Sequence, residues 1–300
     1  MPGANRNFRS LAPFYPRAFE AFDFSEYDTI VSSTTAWAKG ILIPPHAVHV
    51  CYINTVSRFA FAYDEYVGAL GAAGALARPV VNRLIHWDRK AALRPTRFVA
   101  NSRNVAARIA KYYGREADVL NCPVDVDRFS VGTGSGDYFI VASRLLPYKR
   151  IDLAMRAAAV AGVPLIVAGT GPAEGALREL ARETGTSMLG YVDDAKLNDL
   201  IGNARAAILP GEEDFGLVPL EAAAAGRPTI AYRAGGALET IVEGTTGSYF
   251  DEPSAESLAG ALRDFDAGRF DAATLRAHAE RFAPDRFIAR LREIVAATRA

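Results

Sequence analysis

The sequence predicts an α/β protein of two Rossmann-like, doubly wound domains. Three observations carry that expectation: short β-branched apolar runs recur from Asp137 onward, amphipathic stretches separate them, and Gly- or Pro-containing turns mark each change of period. The runs "DYFIVAS", "VPLIVAG", "TSMLGYV", "AAILPG" and "PTIAYR" read as strands apolar on both faces, and "AEGALRELARE" and "DDAKLNDLIGNA" as helices between them. Strands of that kind need helices on both sides, which makes the sheet parallel. Earlier in the chain, "YDTIVSS", "AVHVCYI" and "TRFVANS" read as buried strands, and "RNVAARIAKYYG" as a helix started by Asn101 and Ser102. The Gly- and Ser-rich "VGTGSGD", Val131 to Asp137, reads as a flexible hinge. The expected divisions are therefore 1–131, 132–283 and a final helix over 284–300, whose apolar Phe287, Ile288, Leu291, Ile294 and Val295 must pack on something. A cleft between the carboxyl ends of two such sheets is where a ligand is expected.

Composition narrows the function classes. With 34 Lys plus Arg against 34 Asp plus Glu, no overall field draws this 300-residue chain to nucleic acid, and any anion site must be local. Cys51 and Cys122 sit in or beside apolar runs, which suits buried thiols in a reducing cytoplasm better than a disulfide framework. No apolar stretch approaches the roughly 20 residues of a membrane span, and "MPGANRNFRS" lacks the apolar core of a signal peptide. The reading is a cytoplasmic protein. "NRNFRSLAPFYPRAFEAF" mixes Arg6, Arg9 and Arg17 with Phe8, Phe14, Tyr15 and Phe19, a combination that could rest on an inner-membrane surface or simply pack on the first domain.

Three loops of the second half follow strands and precede helices, which puts them on one rim. In "SRLLPYKR", Arg144 and Lys149 place two cations near a helix start, against its dipole, unless an anion such as a diphosphate binds there. In "GTGP", Gly169 and Gly171 permit close backbone approach to a phosphate or a base, or make a tight strand-to-helix turn; the spacing to Gly175 is not that of a dinucleotide fingerprint. In "GEEDFGLVPLEAAAAG", a helix is expected from Val218, with Pro219 in its first turn and Gly226 as its stop. Glu213 then lies in the loop and Glu221 in the first helical turns, beside the amides of Phe215, Gly216 and Leu217. Carboxylates accept from hydroxyls and free amides receive an anion, so a nucleotide sugar would satisfy both; read singly, Glu213 could be a surface acid and Glu221 a complement to its helix dipole.

Taken together, "SRLLPYKRIDLA", "LIVAGTGP", the stretch from "LGYVDDAKLNDL" to "VEGTTGSYF" and "NSRNVAARIAKYYGREADVLNCPVDVDRF" resemble retaining glycosyltransferases of family four, with the two-domain GT-B fold, and among them mannosyltransferases of bacterial surface-polysaccharide assembly. The resemblance implies a hexose moved from GDP-mannose or a UDP-sugar to a hydroxyl of a saccharide or lipid-linked acceptor, with no metal. It implies that Glu213 faces the donor sugar, Glu221 the ribose, and Arg144 with Lys149 the diphosphate, with Val192 beside the nucleotide. The final helix is expected to return to the first domain.

Two departures stand against that pattern. Relatives open with a strand, a glycine-rich turn and a helix that "MPGANRNFRSLAPFYPRAFEAFDFSEYD" does not show, so the first domain is expected to be truncated or reduced to three or four strands, with an apolar edge that a partner protein or a second copy would cover. Where relatives carry a His before Thr-Pro, this chain has Asn54-Thr55-Val56, although Arg58 and Tyr66 fit the surrounding pattern. Asparagine cannot carry a proton away at neutral pH. The alternative is therefore a catalytically impaired GT-B protein that binds nucleotide or a partner transferase; an isomerase or phosphorylase on the same architecture ranks last. His46, His49, His86 and His278 are expected to be structural or at the surface, with His46 and His49 the exceptions to watch.

Overall fold

The computed structural model describes residues 11–57, 61 and 71–299, and side chains from residue 78 on within the last stretch. The chain forms two compact units: unit 1 from Met1–Asn121 and Ile288–Ala300, unit 2 from Cys122–Phe287. Arg58, Tyr66, Arg6, Phe8 and Arg9 lie outside the described residues.

Unit 1 is a parallel sheet of four strands in sequence order: β1 (Thr29–Thr34), β2 (Val48–Ile53), β3 (Arg97–Ala100) and β4 (Asp118–Val119). Its described helices are α1 (Tyr15–Glu20), α2 (Gly71–Ala91) and α3 (Arg103–Tyr113). α3 starts where Ser102 leaves helical geometry and its side chain accepts from the Val105 amide, and it stops at Gly114 in the left-handed region. One apolar layer joins Cys51, Ile53, Phe98, Val105 and Ile109.

A second, polar layer was not foreseen. Lys39 and Asp88 are both almost wholly buried and paired at 2.5 Å; Ser57 donates to the same carboxylate oxygen at 2.5 Å, and the Tyr113 hydroxyl donates to the other at 2.8 Å. Burial pushes the Lys39 ammonium toward losing its proton, and the adjacent Asp88 charge opposes that. The histidine expectation divides here. His49, inside β2, is fully buried with its Nε2 at 2.7 Å from the Ser32 hydroxyl, and His278 is buried with Nε2 at 3.0 Å from the Thr240 carbonyl oxygen.

Unit 2 is a parallel sheet of six strands: β5 (Phe139–Ala142), β6 (Leu165–Ala168), β7 (Ser187–Gly190), β8 (Ala206–Leu209), β9 (Thr229–Tyr232) and β10 (Gly247–Phe250). The order β10-β9-β8-β5-β6-β7 means that the chain winds outward from β5 through β6 to β7, then returns to β8 and winds the other way. The reversal between β5 and β8 is a topological switch point, where loops leaving the strand ends diverge and open a crevice. Helices α4 (Ile151–Ala161), α5 (Glu174–Thr184), α6 (Asp194–Asn203), α7 (Val218–Ala224), α8 (Ala237–Thr240), α9 (Ala255–Arg263) and α10 (Ala272–Glu280) follow in chain order. The interior is hydrocarbon: Phe139, Val141, Ile151, Met155, Val167, Ile208 and Leu258 form one cluster, and Ile140, Ile201, Leu220 and Leu275 belong to another. Each such side chain contributes on the order of 1.5–3 kcal/mol by leaving water.

Two expectations are corrected. "VGTGSGD" is not a free hinge, since Gly132, Gly134 and Gly136 donate their amides to the carbonyls of Ala225, Gly202 and Asn203; the segment is stitched into unit 2, which already begins at Cys122. Strand β7 is not apolar on both faces: as an edge strand paired only to β6, it leaves Ser187 and Leu189 exposed. The last helix, α11 (Pro284–Arg299), is assigned to unit 1 from Ile288 on; there Arg299 pairs with Asp28 at 2.8 Å and Ile294 is buried.

Candidate active site

The two loops that flank the switch point carry the strongest candidates. After β5, the chain turns through Ser143–Leu146 into a 3₁₀ turn, Pro147–Lys149, and Arg150 closes it at φ 52°, the one non-glycine residue at positive φ among those described. Such a conformation costs an L-residue about 1–2 kcal/mol. After β8, Pro210–Leu217 leads into α7, with Pro219 in the first helical turn. A Cβ on Gly211 would lie 2.6 Å from the Tyr148 carbonyl oxygen, so the two loops approach as closely as a glycine allows. The outcome is an ion pair between Lys149 Nζ and Glu213 Oε1, with side chains 21% and 11% exposed. The Glu213 carbonyl also accepts the Gly236 amide at 2.8 Å, which ties in the loop after β9.

The remaining candidates in unit 2 lie on the segments that follow β5, β6, β7 and β8. Arg144 stands exposed on the loop after β5. Gly169, at φ 138°, lies where a Cβ would come within 1.9 Å of the Ser143 carbonyl oxygen, and Leu145 donates its amide to the Thr170 carbonyl while Ala173 donates to that of Leu145. Gly169 and Gly171 therefore serve the packing of "GTGP" against the β5 loop. Phe215 is buried against Phe282, while Gly216 and Leu217 precede α7; the amides of these three donate to no backbone carbonyl among the described residues. Val192, between β7 and α6, is partly buried against the second apolar cluster.

Glu221 does not join the Lys149–Glu213 pair. Its carboxyl is held above the usual range by burial, an effect that Arg128 opposes and Asp194 reinforces. Arg128 and Asp194 pair with each other at 2.9 Å. Neither was singled out in the sequence, although the Asp193 cap of α6, accepting from the Lys196 amide, was there to be read in "DDAK". Asn54 belongs to unit 1, at the carboxyl end of β2. Its Nδ2 donates to Ser33 Oγ at 3.0 Å and its carbonyl accepts from Asn101 Nδ2 at 2.9 Å. Among the described residues no group of three or more His, Cys, Asp or Glu is placed to hold a metal ion, and no helix is long and apolar enough to cross a membrane.

Known proteins resemble the chain at three levels. The family model described as "Glycosyl transferases group 1" matches residues 124–282, a stretch that lies within unit 2. "D-inositol 3-phosphate glycosyltransferase 2" of Catenulispora acidiphila is 31% identical over 185 residues, covering 51% of this chain and 43% of that protein. The "GDP-mannose-dependent alpha-(1-6)-phosphatidylinositol monomannoside mannosyltransferase" of Mycolicibacterium smegmatis is 29% identical over 195 residues, covering 54% and 51%. The match thus spans about half the length of these curated relatives. Among solved structures, Anabaena HepE in complex with UDP superimposes with a TM-score of 0.69 at 18% identity, covering 99% of this chain and 84% of that one. Sucrose-phosphate synthase from Thermosynechococcus elongatus gives 0.72 at 18%, covering 98% and 80%. At such identity the likeness speaks for the fold, which is the α/β fold with parallel sheets of GT-B glycosyltransferases.

Proposed function

We propose, from the premise that this chain belongs to the glycosyl transferases group 1 family, that it moves a hexose from a nucleotide-diphosphate sugar to a hydroxyl acceptor, with retained anomeric configuration and without a metal. The observation that carries the proposal is the meeting of Lys149 and Glu213, on the loops that follow β5 and β8 respectively, beside the switch point. Lys149 and Arg144 bind the diphosphate, and the Phe215, Gly216 and Leu217 amides add donors to it. Glu213 accepts from the hexose hydroxyls and Glu221 from the ribose, with Val192, Gly169 and Gly171 on the nucleotide side. Cations and amides fixed before the reaction stabilise the charge that grows on the leaving nucleoside diphosphate. The sugar becomes oxocarbenium-like, and the acceptor hydroxyl enters on the face the leaving phosphate vacates, its proton passing to a phosphate oxygen. GDP-mannose is the first donor to test, since one relative is named as dependent on it, and UDP-glucose the second, since Anabaena HepE was solved with it. Incubation with a panel of nucleotide sugars and saccharide or lipid-linked acceptors is expected to yield product; neither transfer nor donor hydrolysis would overturn the proposal.

Asn54 favours a second reading, an impaired transferase that binds nucleotide or supports a partner enzyme. Tight nucleotide binding without turnover, together with a stable co-purifying partner, is its signature. Peripheral membrane contact is a separate proposal resting on Phe14, 61% exposed, and on exposed Arg17, while Phe19 packs on Ile30, Ile41 and Ala47. Absence of flotation with anionic vesicles would remove it.

A further inference from the structure

We infer that Glu213 is a specificity-determining residue, which lets the site tell an intact nucleotide sugar from the bare nucleoside diphosphate left after transfer. The inference rests on the nucleotide-sugar reading above and adds to it a competition built into the free protein. The cation assigned to the diphosphate is already occupied: Lys149 Nζ is bound to Glu213 Oε1, on side chains shielded enough from water that salt screens them weakly. Neither partner sits on a loose segment. The Lys149 turn is closed by Arg150 in its left-handed conformation, the Glu213 backbone is held by the Gly236 amide, and the two loops touch at Gly211.

A diphosphate that binds Lys149 therefore competes with Glu213 for the ammonium, and what happens next depends on the rest of the ligand. An intact donor brings sugar hydroxyls, each able to donate to the carboxylate, so the weakened ion pair of Glu213 is offset by new hydrogen bonds. A bare nucleoside diphosphate brings none. Glu213, shielded from water, then shares its cation with an incoming anion and gains no hydroxyl donor in return, which is the unfavourable half of the exchange. The ligand can shift the equilibrium only by its differential affinity for the two arrangements, so the pair taxes the product more than the donor. After transfer the ion pair re-forms and helps the nucleoside diphosphate leave.

Calorimetry on the full chain tests this with GDP and UDP against GDP-mannose and UDP-glucose. Glu213→Gln is expected to bind the nucleoside diphosphate about tenfold tighter than the unaltered chain while gaining little for the intact donor, so that the preference for donor over product shrinks. Two controls separate the pair from a general loss of negative charge. Glu212→Gln removes the same charge from the same loop and is expected to change affinity by less than about twofold, and in a Lys149→Met background Glu213→Gln is expected to bring no gain. No tightening, equal tightening in Glu212→Gln, or a gain that survives in Lys149→Met overturns the inference and leaves the nucleotide-sugar reading standing. If the unaltered chain binds none of the four ligands, that reading falls and the inference with it.

Discussion

In unit 2 the large side chains withdrawn from water are mostly hydrocarbon, from Phe139 and Ile140 in the central strand to Leu258 and Leu275 in the flanking helices, with Glu213 and His278 the titratable exceptions, whereas unit 1 encloses a buried ion pair, Lys39 with Asp88, and Ser57 and His49 beside its apolar layer. An apolar interior draws its stability from area removed from water and is indifferent to pH. A polar interior holds only while every member keeps its partner, because a deserted buried charge costs far more than the pair was worth. The difference teaches where each unit is fragile: unit 1 at its charges, unit 2 at the close approaches of its loops.

Four changes would break or sharpen that comparison. Asp88→Ala should be the most damaging, since it strands the Lys39 ammonium and takes the acceptor from Ser57 and Tyr113; a loss of about 3–5 kcal/mol is expected. Hydrogen exchange resolved by segment should place the loss in β1–β3 while β5–β10 stay protected. Equal loss in both sheets would erase the contrast. Gly169→Ala should cost unit 2 about 2–4 kcal/mol, from a backbone conformation unsuited to alanine and from collision with the Ser143 carbonyl. A denaturant midpoint unchanged by this substitution would show that the rim loops are not tightly packed.

Acid should weaken both units, since burial lowers His278 in unit 2 as well, but it should act more strongly on unit 1 through His49. Burial pushes His49 down to about 4 from an ordinary 6.5, and its Nδ1 has no hydrogen-bond partner among the described residues. Between those values the unfolded chain binds a proton that the folded one refuses, so stability falls as pH drops from 6.5 to about 4, by at most about 1.4 kcal/mol per pH unit. His49→Asn should flatten the pH dependence of the unfolding midpoint over that window. The smallest effect is expected at Glu221, where the sign reverses: a carboxyl raised by burial is favoured protonated in the folded state, so stability declines as pH rises through its raised value. At pH 7 Glu221→Gln should stabilise the free chain, by no more than about 1 kcal/mol, and weaken donor binding. A lower melting temperature for this variant in the absence of nucleotide would refute the assignment.

Much of unit 2 was legible because local pattern and tertiary role coincide there. Strands such as "YFIVA" and "LIVA" are apolar throughout, each ends at a small or turn-forming residue, and the rim loops follow from the alternation itself. The helix from Val218 and the Ser102 cap were readable for the same reason. Strand β4, two residues long, carries no period to detect. The buried pair was illegible because Lys39, in "AWAKGILIPP", looks like any surface lysine, and Asp88 lies 49 positions later on a helix with other charges around it. The glycines of "VGTGSGD" were misread because composition alone does not separate a glycine that loosens the chain from one that lets two backbones touch. At the site, sequence brought Lys149 and Glu213 to one rim but could not foretell that they would bind each other, since their 64-residue separation is bridged only by the strand order.

The assignment of Ile288 onward to unit 1 has a consequence for biosynthesis. Domains ordinarily fold in the order in which they leave the ribosome. Here every residue of the second unit is made before Ile288 to Arg299, the part of the last helix that belongs to unit 1, so the nascent chain can finish its later half first. The earlier half receives the segment that carries Ile294 and Arg299 only after the later half has been made, and until then Asp28 lacks its Arg299 partner and the surface that covers Ile294 stays open to water.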